Sequence, residues 1–441
     1  MLHAFLKLFK LFNTRFFLKL DIKIFFFLYV VLGFLVNYFY SIYYLEKYPL
    51  MIDINGNYLI SNIGFNFTDI ILNLQSSQGI KAEYYGINYY ASRMPLLPFS
   101  LFLIHSCITK NFIFIHLIKN IFFFIIIFIL VYNFVKKNFK KSLINILTFL
   151  FIFLIFYVPH NLTISLSTNF EEGLLNYFII ILFLILLDNK IKFRNISIGV
   201  VLSFIFFLKS SMFYLVAVIS IAYFFIEKKN SYLPIFFFLI SSLLWGFYSY
   251  KYTNYFAFGP KNTSFNSIVL STAYHSDFIK SYPRLSPDIY QERTDKIIMD
   301  AMKKDKQLND EWSIDQFIFN ESKIFLINNP FDVLKSILKK ISVIFWYPYK
   351  DSQWNEIDAK KLRFSNIPNK LIFIISIVVL ISSLKYNRSK IDIYYILIIV
   401  SYFFPYLVGF VYSRHATSIY MIAHIYLLNF YLLKLKYERQ I

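Results

Sequence analysis

Apolar runs alternate with polar stretches along the chain, and many are long enough to cross the roughly 30 Å hydrocarbon core of a bilayer as helices. The pattern predicts a first span over 22–44, then apolar helices near 96–108, 112–135, 142–158, 173–188, 196–208, 210–226 and 232–250. Three more follow near 370–385, 391–412 and 416–433. Two polar stretches interrupt the series, 46–93 and 251–345. In the first, the run from Thr68 and Asp69 has a polar start and helical apolar spacing, which predicts a helix lying along the interface. In the second, 291–308, 312–328 and 331–345 have helix-like spacing, and Asn328-Asn329-Pro330 marks a break with Pro330 opening the next helix. An aromatic patch (Phe345, Trp346, Tyr347, Tyr349) then suits a membrane interface. No repeat or linker separates soluble domains. The expected fold is one all-α, polytopic transmembrane bundle of ten or eleven spans, with interfacial helices and one large helical outer loop.

Charge gives this pattern a direction. The formal charge of +20 could suggest a nucleic-acid binder, but the Lys and Arg sit in short runs beside apolar segments. These runs are Lys136, Lys137, Lys140 and Lys141; Lys190, Lys192 and Arg194; Lys228 and Lys229; Lys385, Arg388 and Lys390; and Lys434, Lys436 and Arg439. Basic short loops mark the cytoplasmic side, so both long polar stretches are expected outside and nucleic acid is not an expected partner. One conflict arises: 96–135 looks like two helices yet must cross an odd number of times. Either 96–108 is re-entrant or the 136–141 cluster breaks the rule. Only 16% of residues are charged and 58% are hydrophobic, which fits lipid as the solvent. The abundance of Phe, Tyr, Ile, Lys and Asn resembles a low-GC coding bias and carries no functional reading. The single Cys107 excludes an intramolecular disulfide and a cysteine metal cluster. The N-terminus, with Lys7, Lys10, Arg15 and Lys19 and no small-residue cleavage site, reads as a retained first helix.

Candidate chemistry gathers between Asp69 and Pro98. An acid at the start of an interfacial helix is followed by Gly79, and Arg93 then precedes a Pro-interrupted helix entering the membrane. Arginine can bind phosphate in two-point fashion, and a nearby carboxylate can accept a proton from an attacking hydroxyl. Simpler readings compete: Asp69 as a helix cap and Arg93 as an interfacial anchor. Glu171 and Glu172 could hold an acceptor or a divalent ion, or simply start a solvated helix. His160, His275 and His415 are too scattered to argue for zinc. His105, His116 and His424 lie within apolar runs, where a backbone partner is the expected explanation, and Lys119 faces a polar cavity or marks a helix end.

The order of these residues resembles the GT-C superfamily of lipid-phosphate-dependent glycosyltransferases, especially the bacterial aminoarabinose-transferase and protein-mannosyltransferase-like branch. The shared features are an acid in the first outer loop, a helix ending near Gly, and Arg93-Met-Pro95 entering the next span. Further similarities are Thr168-Asn-Phe-Glu-Glu-Gly before a span, Phe207-Leu-Lys209-Ser-Ser at a helix break, and Trp245 through Lys251 and Asn254 entering the large loop. The stretch from Ile324 through Asn328-Asn329-Pro330 resembles the helix-Asn-Pro-helix leading back to the membrane, and Tyr412-Ser-Arg414-His415 a late Arg motif. The chain departs from the family where Asp53 has Tyr58 five residues on and Asp69 has no such Tyr. Lys209 and Lys251 also stand where Arg is common.

The resemblance implies inverting transfer of a sugar from a polyprenyl-phosphate carrier to a glycan, lipid or protein acceptor, without a cofactor, on the periplasmic face of a bacterial inner membrane. Asp69, or else Asp53, would be the catalytic carboxylate. Arg93, Arg414, His415, Lys209 and Lys251 would meet the lipid phosphate, with Glu171 and Glu172 on the substrate side. Competing readings are an O-antigen polymerase-like enzyme, which would need more basic residues in the large loop than Arg284 and Arg293 supply as its arginines, and a transporter or lipid flippase, which often shows repeats. A non-catalytic scaffold is a third.

Overall fold

A computed structural model describes residues 22–47, 74, 79–84, 86–91, 94–109, 112–138, 171–227, 231–260, 287–346, 366–386, 389–408 and 413–437. The protein is an all-α helical membrane protein. Helix α1 (Ile22–Lys47) is followed by a small hairpin, β1 (Ala82–Tyr84) and β2 (Ile87–Tyr89). Helices α2 (Leu96–Cys107), α3 (Phe112–Asn138), α4 (Glu172–Leu187), α5 (Arg194–Leu208), α6 (Phe213–Glu227) and α7 (Leu233–Thr253) follow. The large loop holds α8 (Pro287–Lys304), α9 (Glu311–Asn328) and α10 (Pro330–Trp346), and the chain ends in α11 (Ile367–Tyr386), α12 (Lys390–Val408) and α13 (Thr417–Tyr437). The expected span 142–158 lies outside the described residues, as does most of the interfacial helix expected after Thr68.

Among the described residues, five helical segments are long and apolar enough to cross a membrane on their own: 117–137, 210–227, 233–253, 367–386 and 390–408. Helices α4 and α5 are shorter, with 16 and 15 residues, but they run antiparallel between the same two ends of the bundle. At one end Lys209, just past α5, meets Glu172, the first residue of α4. At the other, the Arg194 guanidinium donates to the carbonyls of Ile185 (3.1 Å) and Leu186 (2.7 Å) at the end of α4.

Helix α4 is buried on every side from Glu172 to Leu186, as an all-round apolar helix must be when it forms the axis of a bundle. Around it, polar side chains fix neighbours that apolar surface alone would leave free to slide in lipid. Asn120 on α3 donates to Asn37 on α1 (3.1 Å), and Tyr177 on α4 donates to Asn120 (2.9 Å). Helices α5 and α7 meet where Gly199 faces Phe237, so closely that a Cβ at 199 would lie 2.4 Å from that ring.

The relative directions of α1 and α3 bear on the crossing conflict and are compatible with a re-entrant α2. Phe26 meets Phe128 and Asn37 meets Asn120, so α1 and α3 are antiparallel. The far end of α3 reaches the basic end of the bundle, where Lys137 pairs with Asp188. Both α1 and α3 therefore have their 47 and 112 ends at the opposite side, and the 12-residue α2 finishes five residues before α3 begins. At 1.5 Å per residue it extends about 18 Å, too short to cross. The 136–141 cluster thus begins on the same side as Arg194 and Lys390 and needs no exception.

Among the described residues, the hairpin is an element that the sequence pattern did not predict. It pairs Ala82 with Tyr89, Glu83 with Asn88 and Tyr84 with Ile87, closing at Gly86 in a left-handed conformation (φ 76°). That is the two-residue turn chemistry in which glycine at positive φ is favoured. The strand β2 packs under the large loop, with Tyr89 buried against Ile298, Ile314 and Ile318. Helices α8, α9 and α10 appear where the spacing predicted them, and Pro330 opens α10. Asp310 caps α9, accepting from the amides of Trp312 (2.7 Å) and Ser313 (3.0 Å).

Candidate functional site

The end of the bundle away from the basic loops gathers buried charge from three separate segments. Glu171 immediately precedes α4, with no side-chain cap hydrogen bond, and Glu172 opens it; Lys209 occupies the extended residue that ends α5; His415 lies in the 3-10 turn Ser413–Ala416 before α13. The Lys209 amine is paired with Glu172 and lies 3.9 Å from Glu171. His415 Nε2 is 3.1 Å from the same Glu172 oxygen. Glu172 and His415 are almost fully buried, with side chains 2% and 4% exposed, while Lys209 is the most accessible of the group at 14%.

Aromatic and polar neighbours fix the arrangement. The His415 ring stacks on Tyr406 with centroids 4.0 Å apart, and Lys209 lies over the same Tyr406 ring at 5.6 Å. Ser211, in the 3-10 turn after Lys209, donates to the Tyr406 hydroxyl at 3.5 Å. One turn below Glu172, Asn176 accepts from Ser418, which in turn accepts from Tyr402 at 3.2 Å. The buried Asn176 amide nitrogen has no acceptor among the described residues. Such a donor is costly to leave without a partner, and a bound molecule is one way to supply one.

The local sequence explains each placement. Lys209 interrupts an apolar run with Lys-Ser-Ser, whose polar side chains compete for backbone hydrogen bonds and end the helix. Two acids at the start of α4 suit the positive end of its dipole. Pro405 sits inside α12 just before Tyr406, removing one helical donor near the site.

Four of the residues nominated from sequence, Glu171, Glu172, Lys209 and His415, are thus in one cluster. Lys251 is at the same end on the last turn of α7, exposed and over the Tyr252 ring at 5.3 Å, outside the cluster contacts. Asp53, Asp69 and Arg93 lie outside the described residues, and of Arg414 only the backbone, in the turn beside His415, is described. Sequence reasoning did not single out Tyr406, Ser211 or Asn176. The available signal for Tyr406 was Pro405 inside an apolar run; Asn176 carried the signal of an amide one helical turn from Glu172.

The large loop is fastened over the segment that leads to Arg93. The buried Glu311 carboxylate accepts from the amides of Tyr90 and Ala91, each at 3.2 Å. Below it, the Ile80 amide donates to the Tyr248 hydroxyl (3.1 Å), while Gly79 adopts a left-handed conformation (φ 78°) against Tyr252. Helix α10 packs on the 413–416 turn and the end of α12, where buried Lys340 donates to the carbonyl of Val408 (2.9 Å). Burial pushes the Lys340 amine down to about 7. Other nominated polar residues have local explanations: His424 meets its own helix through the Tyr420 carbonyl (2.7 Å), and Lys119 is buried within α3.

Among the described residues, no group of three or more His, Cys, Asp or Glu side chains is arranged to hold a metal ion. No family model, curated protein or solved structure matches this chain.

Proposed function

We propose that the chain is a membrane-embedded glycosyltransferase that moves a sugar from a polyprenyl-phosphate carrier to an acceptor at the bundle end opposite the basic loops, the periplasmic face of a bacterial inner membrane. The observation that carries this reading is the convergence of Glu171, Glu172, Lys209 and His415 at that end. In the reaction, the bond between the sugar anomeric carbon and the phosphate oxygen breaks as the acceptor oxygen forms its own bond to that carbon. Negative charge collects on the departing lipid phosphate. Lys209 would meet that charge with its accessible amine, and His415 and Arg414 lie in the adjoining turn. Glu172 would hold Lys209 and His415 in position, and the acceptor proton would pass to Asp69 or Asp53.

The test is transfer of labelled sugar from a synthetic polyprenyl-phosphate donor in vesicles containing the full chain. Lys209→Met is expected to lower turnover by about 100-fold, the scale for removing one donor that faces developing charge. If Lys209→Met, Asp69→Asn and Asp53→Asn all retain full transfer, the proposal fails. The transport reading is checked in the same vesicles. Movement of the intact labelled donor across the bilayer without sugar transfer would replace this proposal with a lipid carrier.

A further inference from the structure

The bundle carries a polar cleft at its basic end, far from the glutamate–lysine–histidine cluster. It is an open cleft of about 580 Å³ between the turn leading into α5, the last turn of α6 and the start of α7. Arg194, Asn195 and the Glu227 carboxylate contribute polar groups to its wall, and Phe193, Ile196 and Tyr232 contribute rings and apolar surface.

We propose that this cavity holds the headgroup of an anionic phospholipid from the leaflet on the basic side of the membrane. Three independent features support the assignment, and none depends on the proposed transfer reaction.

The first is a guanidinium fixed in place with donors to spare. Arg194 uses three of its N–H groups on the carbonyls of Ile185 and Leu186 and on the Tyr223 hydroxyl. It also forms an ion pair with Glu227 at 3.6 Å, longer than a hydrogen bond, so the carboxylate lies beside the guanidinium without accepting from it. A guanidinium has five N–H groups, and five less these three leaves two with no acceptor among the described residues. A pre-positioned arginine fork of this kind suits a phosphate, because its ordering cost is met by folding and not by binding.

The second feature is the surrounding charge. Across the described residues 136–137, 188–194, 227, 385–386 and 389–392, seven Lys or Arg face three carboxylates. Those carboxylates are already engaged: Asp188 with Lys137, Glu227 with Lys390 (3.0 Å) and Tyr394 (3.2 Å), and Asp392 with Ser383, Ser389 and Tyr426. Lys190 and Lys192 stay exposed beside the cavity. Basic pockets at helix ends on this side of a membrane attract anionic headgroups.

The third is the mouth of the cavity. Phe193 has a left-handed backbone (φ 61°), which is unfavourable for a bulky residue, yet its ring is 65% exposed and gains little packing in return. Tyr232 is similarly exposed, and the neighbouring turns present Phe225 and Phe236 outward. Exposed rings beside a polar cavity at the end of a membrane bundle match the headgroup–acyl boundary, where aromatic side chains concentrate. A soluble phosphate ester would use the same donors but would make no use of these rings.

The test uses the full chain in detergent, with native mass spectrometry and thermal unfolding after titration with phosphatidylglycerol, phosphatidylcholine or soluble glycerol phosphate. Phosphatidylglycerol is expected to be retained about tenfold more strongly than phosphatidylcholine and to raise the unfolding temperature. Ile196→Trp, which fills the cavity, and the exposed double change Lys190→Gln/Lys192→Gln are each expected to remove most of that preference. Equal retention of both lipids overturns the proposal, as does an unchanged preference in the double variant. Glycerol phosphate binding as tightly as the lipid overturns the lipid as its source. If Ile196→Trp does not fold, the double variant carries the test alone, since both lysines are exposed and outside helix packing.

Discussion

The two ends of the bundle both bury charge, but they do so in different ways. At the basic end, Arg194 closes the carbonyl terminus of α4, and Glu227 joins Arg194, Lys390 and Tyr394, so α4, α5, α6 and α12 are locked at their ends. At the opposite end, Glu172 draws in Lys209 and His415 from segments that are not continuous helix: an extended residue and a 3-10 turn. A network that terminates helices is explained by the backbone groups it satisfies. At the opposite end the carboxylate pair, the lysine and the histidine hold one another, and the buried Asn176 amide nitrogen has no acceptor among the described residues. The contrast is what separates the two ends into a clamp and a candidate reaction site.

Exchanging the central cation of each end should pull stability and activity apart. Arg194→Met removes three hydrogen bonds and a partner of Glu227, and is expected to cost about 3–5 kcal/mol, with turnover per folded molecule unchanged. Lys209→Met should cost a similar amount of stability by removing the cation paired with Glu172, but should also abolish most turnover. Thermal unfolding and transfer measured on the same samples decide it. Equal activity losses in the two variants would erase the contrast.

Lys340 gives a pH-dependent version of the comparison, because it is a buried amine facing a carbonyl, and no carboxylate pairs with it among the described residues. Its pKa in the folded protein, about 7, is below the ordinary 10.5. The unfolded chain therefore binds more protons between these values, and stability falls as pH drops from 10.5 to 7 and levels off below. Lys340→Met should be more stable than the parent by a few kcal/mol at pH 7, with the advantage shrinking towards pH 10. A pH-independent difference would mean that the amine is not buried as described.

The smallest expected effect concerns the strap over the first loop. Glu311→Gln removes the carboxylate that accepts from Tyr90 and Ala91 and should cost about 1–2 kcal/mol. Hydrogen exchange at these two amides should accelerate while the amides of α4 stay protected. Uniform acceleration would show that Glu311 supports the whole fold.

Much of this architecture was legible before the fold was known. Helix positions followed from apolar run length, the 330 break from Asn-Asn-Pro, and the basic end from the placement of Lys and Arg. The hairpin at 82–89 escaped because its alternation is short and lies between aromatic residues that suit several structures. The sequence cannot place α2, because a 12-residue apolar run fits either a short span or a re-entrant helix.

For the site the balance differs. In the sequence, Glu171 and Glu172 stand out as acids before a span, while Lys209 and His415 are nominated only through the resemblance of their motifs to a known family. Their meeting, across 37 residues between Glu172 and Lys209, was decided only by tertiary structure. The physical reason is that hydropathy records how deep a residue lies and at which end of a helix. It holds no information about which helices are neighbours, and that depended on the Asn37–Asn120–Tyr177 contacts, the close approach at Gly199 and the aromatic packing around α4.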